Sequence, residues 1–245
     1  MQHATLDLGD DRRIAYHRSE GRGPGVVFLG GFRSDMTGTK AQFLDDWARA
    51  RGQAYLRFDY GGHGQSSGDF LDCGIGTWAR DAEDAIARLT SGPQVLVGSS
   101  MGGWLALILA GRMPQRIAGV VGIAAAPDFT EDAMWARFDA GQRAEIAAGR
   151  PVMLPSEYGD PYPITRRLIE EGRRHLVLRD PLALPFPVRL LQGTADADVD
   201  TGVALRLLAH ADGPDIRLTL VKDADHRFSM PENLSLIART IGEFL

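Results

Sequence analysis

The chain has 245 residues, a length that suits one α/β domain with a substantial core. Its hydrophobic and charged fractions, 44% and 24%, are those of an ordinary globular protein, and a net charge of −5 argues against nucleic acid or an anionic membrane as an obligate partner. Cys73 is the one cysteine, which excludes an intrachain disulfide, and no apolar run approaches the roughly 20 residues that a membrane-spanning helix needs.

In chain order, two short alternating segments, 4–8 and 12–17, flank the turn Gly9-Asp10-Asp11 and predict a hairpin. Apolar strands and helices then alternate. Strands are expected at 26–29, 54–58, 95–97, 117–125, 188–191 and 217–221, and helices at 41–51, 78–89, 105–110, 203–209 and 234–245. This alternation predicts an α/β fold, with a mostly parallel central sheet carrying helices on both faces.

Residues 128–185 break the pattern. They show no clear strand and hold a proline-rich patch at 155–163, the apolar residues Met134, Trp135, Phe138, Met153, Leu154, Tyr158 and Tyr162, and a helical pattern over 165–178. The expected organisation is a core of residues 1–127 and 186–245, with 128–185 inserted as a small helical cap. Arg166/Glu170 and Arg167/Glu171 are spaced to pair across a helical turn. The arginines of this stretch fit a solvated face, or a cap that meets an anionic substrate. The aromatic and methionine side chains line an apolar acyl pocket or form the cap's own core.

Chemistry concentrates at Gly98-Ser99-Ser100-Met101-Gly102. A serine between two glycines, where a buried strand turns into a helix, fits a nucleophile elbow. The turn lifts the central hydroxyl above the sheet edge, and the helix N-terminus behind it favours negative charge. A hydroxyl needs a base to take its proton, usually histidine, and a carboxylate to orient that base. Downstream of the strand at 188–191 stand Asp196, Asp198 and Asp200. Gly193-x-x-Asp196-x-x-Val199 has the spacing of an acid loop, so Asp196 leads, Asp198 is the runner-up and Asp200 is read as a helix N-cap. His226 is the one histidine after the final strand and is the expected base; His3, His17, His175 and His210 are read as structural. His63, in the glycine-rich turn 59–66, is read as shaping the fold, and Ser99 as packing. The expected oxyanion donors are the backbone N–H groups of Met101, after the nucleophile, and Phe32, in the loop Gly30-Gly31-Phe32-Arg33.

These residues resemble the α/β-hydrolase superfamily of serine hydrolases. They are similar, more narrowly, to the mitochondrial palmitoyl-protein thioesterases of the α/β-hydrolase-domain group, also described as acyl-glucuronide esterases. That likeness rests on Gly38-Thr39-Lys40-Ala41, Arg57-Phe58-Asp59-Tyr60, the stretch Leu96 to Leu105, Leu154-Pro155-Ser156-x-Tyr158, Arg189-Leu190-Leu191 and Asp225-His226-Arg227. It implies an α/β-hydrolase fold, Ser100 as nucleophile, Asp196 as acid and His226 as base. The implied reaction is hydrolysis of carboxylic esters or of fatty acyl-cysteine thioesters, and the substrate a small molecule or an acylated protein. Gly30 stands where a histidine is common, so support of the oxyanion loop must differ. Peptide, lactone or carbon–carbon bond hydrolysis would use the same triad, and a non-catalytic ligand-binding protein would keep the same fold. Dehalogenation and epoxide opening use an aspartate nucleophile, against which Ser100 argues. No clustered His/Cys spacing implies a metal, and no cofactor is expected. The first residues match neither a secretory signal nor an arginine-rich transit segment, so the expected location is cytoplasmic.

Overall fold

The computed structural model describes residues 3–156 and 159–245. β1 (Ala4–Gly9) and β2 (Arg12–Ser19) form the antiparallel hairpin. The core continues as β3 (Arg22–Leu29), α1 (Thr39–Arg51), β4 (Gln53–Phe58), α2 (Ile75–Leu89), β5 (Gln94–Ser99), α3 (Met101–Arg112) and β6 (Ile117–Ile123). After residues 128–185 it resumes with β10 (Val188–Gly193), α6 (Thr201–His210), β12 (Ile216–Val221) and α7 (Pro231–Gly242). Eight strands form one sheet in the order β1-β2-β4-β3-β5-β6-β10-β12, parallel from β4 to β12 and antiparallel through β1 and β2. The fold is the expected α/β-hydrolase architecture, a mostly parallel sheet with helices on both faces.

The apolar strands are continuous because both faces are covered. In β3, Val27 and Leu29 pack into the cluster beneath α2 and α3, whereas Val26 and Phe28 point the other way, towards α1 and α7. In β5, Leu96 joins the first cluster and Val95 and Val97 the second. Strand periodicity thus splits one run of hydrophobic residues between two cores. α2 buries Ile75, Trp78, Ala79, Ala82, Ala85, Ile86 and Leu89, a stripe at helical spacing. α3 is buried all round from Met101 to Ala110, which fixes the helix directly behind Ser100.

Successive crossovers depart in opposite directions from the centre of the sheet. β3 leads to β4 on one side, and β5 leads to β6 on the other. The loops leaving the carboxyl ends of β3 and β5 therefore diverge and leave a crevice, the usual place for a ligand in open α/β sheets.

Residues 128–185 hold a π-helical turn (Thr130–Trp135), α4 (Ala140–Ala147), β7 (Val152–Ser156), β8 (Gly159–Ile164), α5 (Arg166–Arg173) and β9 (Leu182–Ala183), which pairs with β11 (Ala211–Asp212). The expectation of no strand here is corrected. Val152, Met153 and Leu154 pair antiparallel with Ile164, Pro163 and Tyr162. The prolines that obscured this pairing are tolerated because, in a two-stranded sheet, each strand is an edge. Tyr158, named among the apolar residues of this segment, lies outside the described residues. α5 is shorter than the expected 165–178. Its chain turns away at Arg174, and the N–H groups of Val177 and Leu178 donate instead to the buried carboxylate of Asp128, at 2.8 and 3.0 Å. Asp128 thereby ties the entry of the segment to its return. Among the described residues, no helix is long and apolar enough to cross a membrane.

Candidate active site

Ser100 sits between the last residue of β5 and the first of α3, with φ 55° and ψ −117°. A side chain in this region costs about 1–3 kcal/mol, so the surroundings must hold the turn. They do so through three bonds: Ser100 N–H to the Ile123 carbonyl at 2.9 Å, and Gly103 and Ala126 N–H to the Ser100 carbonyl at 2.9 and 3.1 Å. The flanking glycines are required by contact. A Cβ at Gly98 would lie 2.3 Å from the Gly102 carbonyl oxygen, and one at Gly102 would lie 2.0 Å from the Leu29 carbonyl oxygen.

The loop after β12 brings His226 to this turn. Its Nε2 lies 3.2 Å from Ser100 Oγ and its Nδ1 2.9 Å from Asp196 Oδ2. With a carboxylate facing Nδ1, the proton of the neutral ring sits there, and Nε2 is left to accept from the serine hydroxyl. Asp196 comes from the loop after β10, and its side chain is fully buried. Burial alone would raise its pKa. The bonds from His226, from Val199 N–H at 2.8 Å and from Gln192 Nε2 at 3.0 Å outweigh that and lower it. Asp196 therefore stays ionised beside the imidazole.

The other aspartates take different places. Asp198 is exposed and donates its N–H to Asp196 Oδ1 at 2.9 Å. Asp200 caps α6, accepting from Gly202 N–H at 2.7 Å. Asp196, Asp198 and His226 bring ligand-type atoms within 4.8 Å of one another, but the bond between His226 and Asp196 already accounts for the proximity of those two. Ser99 is buried in β5.

Gly31 faces the nucleophile, since a Cβ there would lie 3.5 Å from Ser100 Cβ. The Phe32 N–H follows on the same peptide. The Met101 N–H opens α3, where a helix leaves its first N–H groups without intrahelical partners. The Phe32 ring makes edge contacts with Phe70, Trp78, Phe129 and Tyr162 at centroid distances of 5.2, 5.9, 5.8 and 5.8 Å. Phe129 and Tyr162 belong to the 128–185 segment, so that segment rests on the loop beside Ser100.

The arginines of α5 are engaged by protein carboxylates. Arg166 bonds Glu170 at 2.6 Å, Arg167 bonds Glu171 at 2.9 Å and Arg173 bonds Glu131 at 2.7 Å. Arg33, from the core, lies 5.4 Å from the centre of the Tyr162 ring. One support escaped the sequence reading. Lys40 Nζ donates to the Arg227 carbonyl and so clamps the loop that carries His226. The two residues are 187 positions apart, and only the folded chain shows the contact.

A family model described as the alpha/beta hydrolase fold matches residues 26–166. The chain is 34% identical to the bovine mitochondrial palmitoyl-protein thioesterase ABHD10 over 242 residues, covering 98% of this chain and 79% of that protein. The chain belongs to the α/β-hydrolase family. Mouse alpha/beta hydrolase domain-containing protein 10 superposes with a TM-score of 0.90 at 32% identity, over 99% of this chain and 98% of the other. A putative hydrolase from Agrobacterium vitis S4 superposes with a TM-score of 0.93 at 39% identity, over 99% and 97%. The cytoplasmic location expected from the sequence is overturned: the bovine, rat and mouse relatives are named mitochondrial.

Proposed function

We propose that this hydrolase cleaves carboxylic esters or acyl thioesters through a Ser100–His226–Asp196 triad. The observation that carries the reading is the continuous chain of contacts from Ser100 Oγ to His226 Nε2, and from His226 Nδ1 to the ionised Asp196 carboxylate. As Ser100 Oγ attacks the acyl carbonyl, His226 Nε2 takes its proton, and Asp196 stabilises the imidazolium that results. The negative charge moves to the carbonyl oxygen, which accepts from the N–H groups of Phe32 and Met101. His226 then returns the proton to the departing alcohol or thiol. Water enters as the second nucleophile and gives its proton to His226, which passes it to Ser100 Oγ as the acyl–oxygen bond breaks and the acid is released.

Residues 128–185 act in this reading as a cap whose aromatic side chains meet the oxyanion loop and offer the acyl chain an apolar wall. The thioester branch is supported by the curated relatives, which are named palmitoyl-protein thioesterases. A panel of p-nitrophenyl esters and acyl thioesters of graded chain length tests the reading. The expected result is turnover of acyl substrates by the wild type, and a fall of roughly 10⁴–10⁶-fold in kcat for Ser100→Ala and His226→Ala. Turnover by either variant at the wild-type rate would remove that residue from the mechanism.

A further inference from the structure

His63 has no place in the triad, yet it is buried, and it touches the loop that carries an oxyanion donor. Its Nε2 accepts from the Arg33 N–H at 3.2 Å, while Nδ1 faces the Gly61 carbonyl at 3.3 Å. That pair of neighbours fixes the tautomer: Nδ1 carries the proton and Nε2 is bare. Gly61 is itself held by α2, donating to Asp81 at 2.8 Å and accepting from Trp78 Nε1 at 3.0 Å. A rigid line therefore runs from α2 through Gly61 and His63 to Arg33.

The peptide one step earlier is held separately. The Ser34 N–H and Oγ both donate to the Gly31 carbonyl, at 3.2 and 2.9 Å. In a trans peptide the carbonyl and the following N–H point in opposite directions. Fixing the Gly31 carbonyl towards Ser34 therefore aims the Phe32 N–H the other way, next to Gly31, which faces Ser100. Phe32 is left between two anchored peptides, and Arg33 is held at φ 58°, a conformation non-glycine residues enter at a cost.

We propose that His63, acting with Ser34, is the positioning element of the oxyanion site: it fixes the Phe32–Arg33 peptide so that the Phe32 N–H stays aimed at the oxygen of the transition state. The inference rests on the hydrolase reading above. Burial lowers the imidazole pKa to about 4, so the ring is neutral near pH 7 and Nε2 remains an acceptor.

The test uses the full chain and compares His63→Leu, His63→Gln and Ser34→Ala with the wild type. Glutamine keeps an acceptor near the position of Nε2, whereas leucine removes it. Ser34 is exposed, so its variant separates loop aiming from packing. On an ester that the wild type turns over, His63→Leu is expected to lower kcat roughly 10²-fold with little change in KM, in line with loss of one oxyanion donor. His63→Gln is expected to recover most of the rate, and Ser34→Ala to lose several-fold in kcat. A trifluoromethyl ketone, whose adduct on Ser100 carries an oxyanion, should weaken in parallel with kcat. Wild-type kcat in both His63→Leu and Ser34→Ala, or equal losses in the leucine and glutamine variants, would overturn the positioning role. A wild type with no turnover and no ketone binding would overturn the hydrolase reading itself, and this inference with it.

Discussion

Each polar group around Ser100 has a distinct task, and substitutions should separate them. The Asp196 carboxylate faces His226 Nδ1, whereas the Asp198 backbone N–H donates to Asp196 Oδ1. Asp196→Asn is expected to lower kcat by roughly 10⁴-fold, because the amide no longer stabilises imidazolium, with Asp198→Asn staying within a few-fold of wild type. Steady-state kinetics of the two variants checks this, and the reverse ranking would move the acid to position 198. Gly102 is a steric requirement: an added Cβ would meet the Leu29 carbonyl at 2.0 Å. Gly102→Ala should lower unfolding free energy by more than about 3 kcal/mol in a urea titration, since backbone lies on both sides of the contact. Ser100, Asp196 and His226 could be picked out from sequence because each follows a recognisable apolar strand. The roles of His63 and Lys40 could not, since their contacts are backbone atoms whose positions only folding defines.

At the level of elements, the 128–185 segment is docked by buried polar anchors as well as by apolar contact. Glu171 of α5 accepts from the Thr77 N–H at 3.0 Å, in the first turn of α2, where a helix favours negative charge. Glu171→Ala should destabilise the protein by about 2 kcal/mol, read as a fall in Tm of roughly 4–8 °C by calorimetry. An unchanged Tm would show that apolar packing alone holds α5. The strands and helices of the core were legible because their hydrophobic periods are regular. β7 and β8 were not, because Pro155, Pro161 and Pro163 imitate a loop and the pairing is too short to show a period. α5 ends short of its helical pattern for a different reason: Asp128, some 50 residues upstream, captures the N–H groups that a longer helix would have used.

Across the whole molecule, the sheet order sets where chemistry takes place, and burial of ionisable groups sets the pH range of stability. The His63 pKa falls from 6.5 to about 4 on folding, chiefly through desolvation. Between those values the unfolded chain binds a proton that the folded chain refuses, so stability drops as pH falls through that window. The difference amounts to about 3 kcal/mol, and His63→Gln should flatten the profile of unfolding free energy between pH 6.5 and 4 by a comparable amount. Parallel profiles for variant and wild type would contradict the buried, neutral ring. Asp196 acts lower on the scale: its depressed pKa contributes stability above the ordinary carboxylate range, lost as pH falls through the folded value.

Peptide mapping by mass spectrometry after treatment with a fluorophosphonate tests most directly whether Ser100 is the activated hydroxyl. One covalent adduct on Ser100 is expected in the wild type, strongly slowed in His226→Ala and absent in Ser100→Ala. Modification of another residue at the wild-type rate in the Ser100→Ala protein, or none in the wild type, would contradict the account.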